Sequence, residues 1–370
     1  MNDAPCRTWA EIDRAALVHN LGVLRARLPA GAALMGVVKA NAYGHGVELV
    51  ANAIAASVEW FGVANLDEAL ELRAIAPSRP TLILGPALPT ERAALLQAGL
   101  VPSISDLAEA RSYNEHATRQ GIVAPVHLVI DTGMGRIGTW EAEAPGFVHA
   151  ARQLPGLQIT GLFSHLPVAD EDDAYTRDQL ARFWKLVGAL QAEELPGCLA
   201  HVENSAGGLG FPESAGDLVR AGLMMYGSAP LPADQPLLRQ AMTWKTRVTL
   251  VRDVGPGRGI SYGRTFITER PMRVATLAVG YADGFRRHLN HRGADVLIRG
   301  RRCPLLGRVT MDQIVVDITH LPPIEPGEEV VLLGRQGDEE ILAAEVAEKA
   351  GTIAWDVFTG IGKRVRRVGI

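Results

Sequence analysis

The chain has 370 residues, of which 47% are hydrophobic, 5% aromatic and 21% charged, with a formal net charge of −4. That length suits two domains or one large barrel plus an appendage, and a near-neutral balance without long blocks of either sign excludes the electrostatic footprint of a nucleic-acid binder. Cys6, Cys198 and Cys303 are odd in number and never spaced C-x-x-C, so neither a disulfide framework nor a zinc site is expected, and no metal is assigned.

The opening residues, MNDAPCRTWAEIDRAAL, lack a basic stretch followed by an apolar one. No apolar run reaches the ~18 residues that a membrane span requires. A cytoplasmic protein without a membrane partner is expected. From residue 14 to about 225 short apolar runs alternate with longer segments of helical spacing. The runs are ALMGVVKA, WFGVA, TLILG, LVPSIS, VHLVID, QITGLFSH, CLAHVE and DLVRAGL. Between them VELVANAIAAS, LDEALELRAIA, PTERAALLQAG, DLAEARSYNEHATRQ and DAYTRDQLARFWKLVGALQAEEL repeat apolar residues at three and four, the period of a helix. Eight strand–helix units in about 210 residues predict an α/β fold, a (β/α)8 TIM-type barrel, with an open doubly wound sheet as the alternative.

After about residue 235 the text turns to short strands separated by Gly, Pro and Asp, with one helical stretch, EEILAAEVAEKAG. This predicts a mainly β C-terminal domain over 235–370, following a barrel domain over 1–234, with the boundary at the PLPADQP linker.

Active sites of such barrels lie at the C-terminal ends of the strands. The polar residues expected there are Lys39 after the first strand, Asp131 and Arg136 after the fifth, and His165 after the sixth. His201, Asn204 and Ser205 follow the seventh, and Arg220 and Gly222 belong to the eighth. Each alone has an ordinary explanation: a strand-end lysine reaching solvent, a core histidine, a buried arginine beside a carboxylate. Together, two cations, an imidazole and a hydroxyl on one rim describe a pocket for an anionic aromatic cofactor. A lysine kept neutral there can attack an aldehyde and form a Schiff base, and pyridoxal 5′-phosphate is the obvious aldehyde. Its phosphate would take backbone N–H groups and hydroxyls from Gly222, Ser205 and Tyr43. GMGRIG at 133–138 matches a dinucleotide fingerprint by letter. No acidic residue ends a second strand about 20 positions on, and Pro145 interrupts the stretch that should be helix. GPGRG at 255–259 reads as a turn.

In order along the chain stand GVVKANAYGHG, DTGMGRIG, GLFSHLPVAD, HVENSA, DLVRAGLMMYG, ISYGRTF, VGYADG, GRVTMDQ and TGIGKRVRR. Through these blocks the sequence resembles the alanine racemases, fold type III pyridoxal-phosphate enzymes, nearly end to end. The resemblance implies a homodimer with shared active sites, in which the β domain reaches the partner's barrel. It implies Lys39 and the partner chain's Tyr262 as paired bases on opposite faces of the cofactor. Arg220 would face the pyridine nitrogen and His165 would support the ring. Tyr43, Ser205, Gly222 and Leu223 would surround the phosphate. Arg136 and the backbone at Met311 would receive the substrate carboxylate, with Asp312 shaping that loop and Tyr281 near the entrance.

Five positions depart from the resembled text. Val129 replaces a lysine, often carbamylated, that supports the arginine at 136. Thr310 stands where many relatives have cysteine beside the substrate, and Trp355 where tyrosine is usual near the cofactor or entrance. Glu203 and Pro167 also differ and have no functional reading. The activity implied is interconversion of L- and D-alanine, supplying D-alanine for peptidoglycan or degrading it. Alternatives are a racemase of serine, lysine or arginine, a decarboxylase on the same fold, and a non-catalytic carrier of pyridoxal phosphate.

Overall fold

A computed structural model describes residues 6–76 and 78–370. Backbone contacts divide the chain into two compact units. One holds residues 17–42 and 50–239; the other holds the described residues up to 16, with 43–49 and 240–370.

The first unit is built on eight parallel strands: Ala33–Val37, Trp60–Val63, Thr81–Ile83, Val101–Ile104, Ala124–Asp131, Leu157–Phe163, Leu199–His201 and Leu218–Ala221. The eighth strand pairs with the first, and the rest follow in sequence order to the seventh. Backbone hydrogen bonds from Asp217 N–H to the Ala200 carbonyl at 2.9 Å, and from Arg220 N–H to the Glu203 carbonyl at 3.2 Å, bridge the seventh and eighth strands. The result is the eight-stranded TIM-like near-barrel that the apolar runs predicted. Several strands are buried on both faces, as parallel strands are when helices cover the sheet, so they read as continuous apolar runs.

The helices follow their sequence signals. Asn65 and Asp106 cap Leu66–Ile75 and Leu107–Gln120 by accepting N–H bonds from Glu68 and Glu109, and Gly121 ends the second in the left-handed region. Pro145, expected to interrupt a helix, stands in the first turn of Ala144–Arg152. Its missing N–H costs nothing there, because first-turn N–H groups have no partner inside the helix. Among the described residues no helix is long and apolar enough to cross a membrane.

The second unit is a nine-stranded sheet in the order Glu339–Ile341, Glu329–Gln336, Asp295–Ile298, Arg301–Leu306, Ile314–Asp317, Met272–Leu277, Met242–Val254, Thr8–Ile12, Arg366–Gly369. The 13-residue strand Met242–Val254 also pairs with Glu329–Gln336, so the sheet curls back on itself. Its N-terminal member is a finding. A division at 234 groups residues 8–12 with the barrel, yet TWAEI lies antiparallel to Met242–Val254 and parallel to Arg366–Gly369. A five-residue strand preceding the first helix has ladder partners on both sides here.

Candidate functional site

The first barrel strand stops at Val37, and Lys39 opens a turn unlike the helices around it. Ala40, Asn41 and Ala42 hold φ of 52–53° and ψ of 49–53°, a left-handed turn built from L residues. Such a conformation costs roughly 1–2 kcal/mol per residue, so it persists only where surrounding bonds fix it. Glu68 supplies one, its carboxylate accepting the N–H of Ala40 at 2.7 Å while its other oxygen accepts that of Ala64, just past the neighbouring strand, at 2.8 Å. The Lys39 amine is mostly buried, and its pKa is lowered by that burial and by the charges of Arg136 and Arg220, against an opposing pull from Glu68. A lysine so placed is biased toward its neutral, nucleophilic form.

Arg220, in the eighth strand, is the most heavily bonded side chain of the rim. One terminal nitrogen donates to Nδ1 of His201 at 2.7 Å and to the His201 carbonyl at 3.3 Å. The other donates to the carbonyls of Ser164 and Val202, both at 2.8 Å, and to Nδ1 of His165 at 3.1 Å. All five acceptors are neutral. Burial lowers the arginine to about 10, which leaves it charged near neutrality.

Burial, and after it the Arg220 charge, holds the neighbouring histidines neutral: His165 and His127 are lowered to about 3, and His201 falls well below its ordinary value. Neutrality fixes the proton positions. His201 accepts from Arg220 on Nδ1, so its Nε2 carries the proton and donates to Nδ1 of His127 at 3.0 Å. The His201 ring stacks on Phe163 with centroids 4.9 Å apart and planes 6° from parallel. Room for His127 comes from Gly161 on the adjoining strand, where a Cβ would lie 2.5 Å from the imidazole. His127 was missed in the sequence, although a histidine flanked by Val126 and Leu128 in a doubly buried strand is the signal that could have found it.

The fifth strand ends in Asp131, whose buried carboxylate organises the DTGMGR loop. Oδ1 accepts the N–H groups of Gly133 and Met134, each at 2.9 Å, and Oδ2 accepts that of Arg136 at 3.2 Å. Val129 is buried with its isopropyl group against Gly138, so it offers Arg136 no polar support. Gln179 ties this loop to the sixth strand by donating to Thr132 Oγ1 at 2.9 Å and to the His165 carbonyl at 3.0 Å. Ser205 Oγ accepts the N–H of Gly222 at 3.0 Å and of Met224 at 3.4 Å, which draws the hydroxyl to the 3-10 turn Leu223–Tyr226. Asn204 caps the short helix Ser205–Gly210 and is structural. The barrel unit therefore carries Lys39, Arg136, His165, Ser205, Arg220, Gly222 and Leu223 at or just beyond the C-terminal ends of its strands.

The β unit holds the remaining candidates. Tyr43 is buried, with φ of 52°, and burial raises its phenol above the ordinary value. Tyr262 is 72% exposed, the highest value among the described large hydrophobic side chains, and Met311 and Tyr281 are exposed as well. Ser261 Oγ donates to the Arg308 carbonyl at 2.6 Å, fixing the Tyr262 turn beside the strand that leads to Thr310. The N–H groups of Tyr281 and Ala282 donate to the carbonyls of Thr310 and Met311, both at 3.0 Å. A Cβ at Gly280 would meet the Met311 carbonyl at 2.3 Å, so the close approach of these two loops requires glycine. Arg364 clamps Asp312 at 2.9 Å and Asp283 at 3.1 Å. Thr310 Oγ1 donates to the Gln313 carbonyl at 2.7 Å. Trp355 is half-buried on the helix Ala354–Thr359.

Comparison with known proteins covers the whole chain. The family model described as alanine racemase, N-terminal domain, matches residues 12–230, and that described as alanine racemase, C-terminal domain, matches residues 241–369. The alanine racemase of Halothermothrix orenii is 42% identical over 364 residues, 97% of this chain and 96% of that protein. That of Symbiobacterium thermophilum is 44% identical over the same shares. Among solved structures, alanine racemase from a D-cycloserine-producing Streptomyces lavendulae superposes with a TM-score of 0.92 at 36% identity, covering 100% of this chain and 98% of that one. The Bacillus anthracis alanine racemase with bound L-Ala-P gives 0.90 at 34% identity, covering 99% and 95%.

Proposed function

This chain belongs to the alanine racemase family, and we propose that it interconverts L- and D-alanine with pyridoxal 5′-phosphate held on Lys39. The observation that carries the proposal is the presence at the barrel's strand ends of an amine lowered by its burial and by two cations, together with an arginine whose side-chain bonds among the described residues all go to neutral acceptors. The donor set suits that cofactor: a lysine for its aldehyde, Ser205 with the backbone of Gly222 and Leu223 for its phosphate, and Arg220 for its ring nitrogen. Tyr43 would add a phenol to the phosphate site, and Trp355 would lie near the cofactor or entrance. When bound, the cofactor supplies a carbonyl carbon for the substrate amine and a ring that spreads the negative charge left at Cα.

The protein's residues do the rest. Arg220 keeps its own proton, so a ring nitrogen held against it would stay without one, a weaker electron sink that would limit side reactions. His165, neutral, buttresses the guanidinium. Arg136 and the Met311 backbone would receive and orient the substrate carboxylate. Lys39 Nζ exchanges the proton on one face and the Tyr262 phenol of a second copy exchanges it on the other, because inverting a planar centre needs a donor and an acceptor on both sides. The exposure of Tyr262, Met311 and Tyr281 supports a homodimer with shared sites. Thr310 supports alanine over a polar substrate: its hydroxyl is engaged with Gln313, which leaves a methyl group for the substrate side chain.

The test is chiral product analysis with a panel of amino acids. L-alanine yielding D-alanine, together with a visible absorption band lost in Lys39→Ala, is the expected result. Faster turnover of serine, lysine or arginine would overturn the substrate assignment, and a bound cofactor without racemisation would overturn the activity.

A further inference from the structure

Glu203 takes no part in the arrangement above and stands where the chain departs from the family's text. It follows the seventh strand and is fully buried. Its Oε2 accepts the N–H of Val202 at 3.3 Å and of Gly216 at 3.4 Å, both long, and its Oε1 has no partner among the described residues. A buried carboxylate oxygen without a donor is costly unless a cation lies near or a proton is taken up.

Each element packed against Glu203 narrows the choice. The loop before the eighth strand presents Gly216, the helix Ser205–Gly210 presents Gly207, and the preceding strand presents His201, held neutral. The eighth strand presents Arg220, whose N–H donates to the Glu203 carbonyl at 3.2 Å and whose charge is the one that acts on the carboxyl. The relation is mutual. Among the described residues the Arg220 guanidinium is bonded only to neutral acceptors, and Glu203 is the negative charge that acts on it. Burial raises Glu203 to about 7, against the pull of the N–H groups and of Arg220.

We propose that Glu203 is the titrating counter-charge of Arg220, a positioning residue through which solution pH reaches the cofactor rim. Ionised, it compensates the guanidinium and steadies it across the seam of the seventh and eighth strands; protonated, it leaves Arg220 an uncompensated buried cation. This rests on reading Arg220 as the residue that faces the cofactor ring. The sign for the fold as a whole is opposite to that for Arg220: burial favours the protonated carboxyl, so its contribution to global stability is full below about 4.5 and is lost as pH rises through about 7, the same range in which the ionised form comes to steady the guanidinium.

The test compares full-length wild type with Glu203→Gln, which keeps shape and one acceptor. In cofactor-free protein, infrared titration of carboxyl groups should show an ionisation near pH 7 that Glu203→Gln lacks. In Arg220→Gln the same ionisation should move up by at least about half a pH unit, because the lowering cation is gone. In the loaded enzyme, kcat should show an inflection near pH 7 that disappears in Glu203→Gln while KM holds. A carboxyl already ionised at pH 5, a titration unmoved in Arg220→Gln, or a kcat profile identical in Glu203→Gln would each overturn the proposal. Should Glu203→Gln fail to fold, the wild-type and Arg220→Gln titrations decide alone. Failure of the cofactor reading would show separately, as a missing Lys39-dependent absorption band, and would leave the cofactor-free titrations standing.

Discussion

Replacing Asp131 by Asn tests whether the loop that carries Arg136 is aimed by one buried carboxylate. The amide can keep a single acceptor. The cheaper choice leaves oxygen facing the two 2.9 Å bonds from Gly133 and Met134 and turns NH2 toward the Arg136 N–H, now 3.2 Å from Oδ2, so donor faces donor. Hydrogen bonds to a charged acceptor contribute about 1.5–3 kcal/mol and neutral ones about 1 kcal/mol, so at the low end of that range one lost bond and two weakened ones sum to about 2.5 kcal/mol. If half of that falls on the aim of Arg136, substrate binding weakens by about tenfold. Initial rates in both directions should therefore show KM raised about tenfold and kcat within about threefold, with the cofactor's absorption unchanged. Urea melts of the same variant would register the rest as a lower midpoint. An unchanged KM beside a lowered midpoint would refute the reasoning and make Asp131 a structural cap alone.

Mixing subunits of two inactive variants, Lys39→Ala and Tyr262→Phe, tests the shared site. Random reassortment makes half of the dimers mixed, each with one site intact, so about a quarter of wild-type activity should return if Lys39 and Tyr262 act across subunits; a mixture that stays inactive after demonstrated exchange refutes the sharing. Acid stability reports on the buried imidazoles. His127 and His165, lowered to about 3, contribute stability that is present above about 6.5 and lost as pH falls toward their folded values, at up to about 1.4 kcal/mol per pH unit each. Melting temperature should fall across that window in wild type, and His127→Gln should flatten the slope; an unaltered slope would mean that His127 is already charged or already free to ionise.

How much of this was legible in the sequence follows from what each feature depends on. The eight strands were legible because a parallel strand covered on both faces writes its burial as an uninterrupted apolar run, and the helices between them write a period of 3.6. Lys39, Arg136, His165, Ser205 and Arg220 were legible as a set because the strand order alone brings their ends to one rim. The hidden features depend on distance between segments remote in the chain. Thr8–Ile12 belongs to a sheet whose partners begin at residue 242 and end at 369, and a five-residue strand carries no mark of its partner. Pro145 read as a break because its effect depends on which turn of a helix it occupies.

His127, Gln179 and Glu203 share a further property: each is a polar residue in apolar surroundings whose meaning lies in the group it faces. A glutamate in HVENSA is silent until the eighth strand places Arg220 beside it, 17 residues later in the chain. That argues for where this protein's individuality lies. The groups proposed to touch substrate and cofactor sit in blocks shared with the family, whereas the departures sit one layer back: Glu203 behind Arg220, and Val129, which leaves the shared Asp131 to fix the Arg136 loop without a second charge beside it. If so, Glu203→Gln should change the pH profile and Asp131→Asn the KM, while both leave the position of the Lys39-dependent absorption band where it is in wild type.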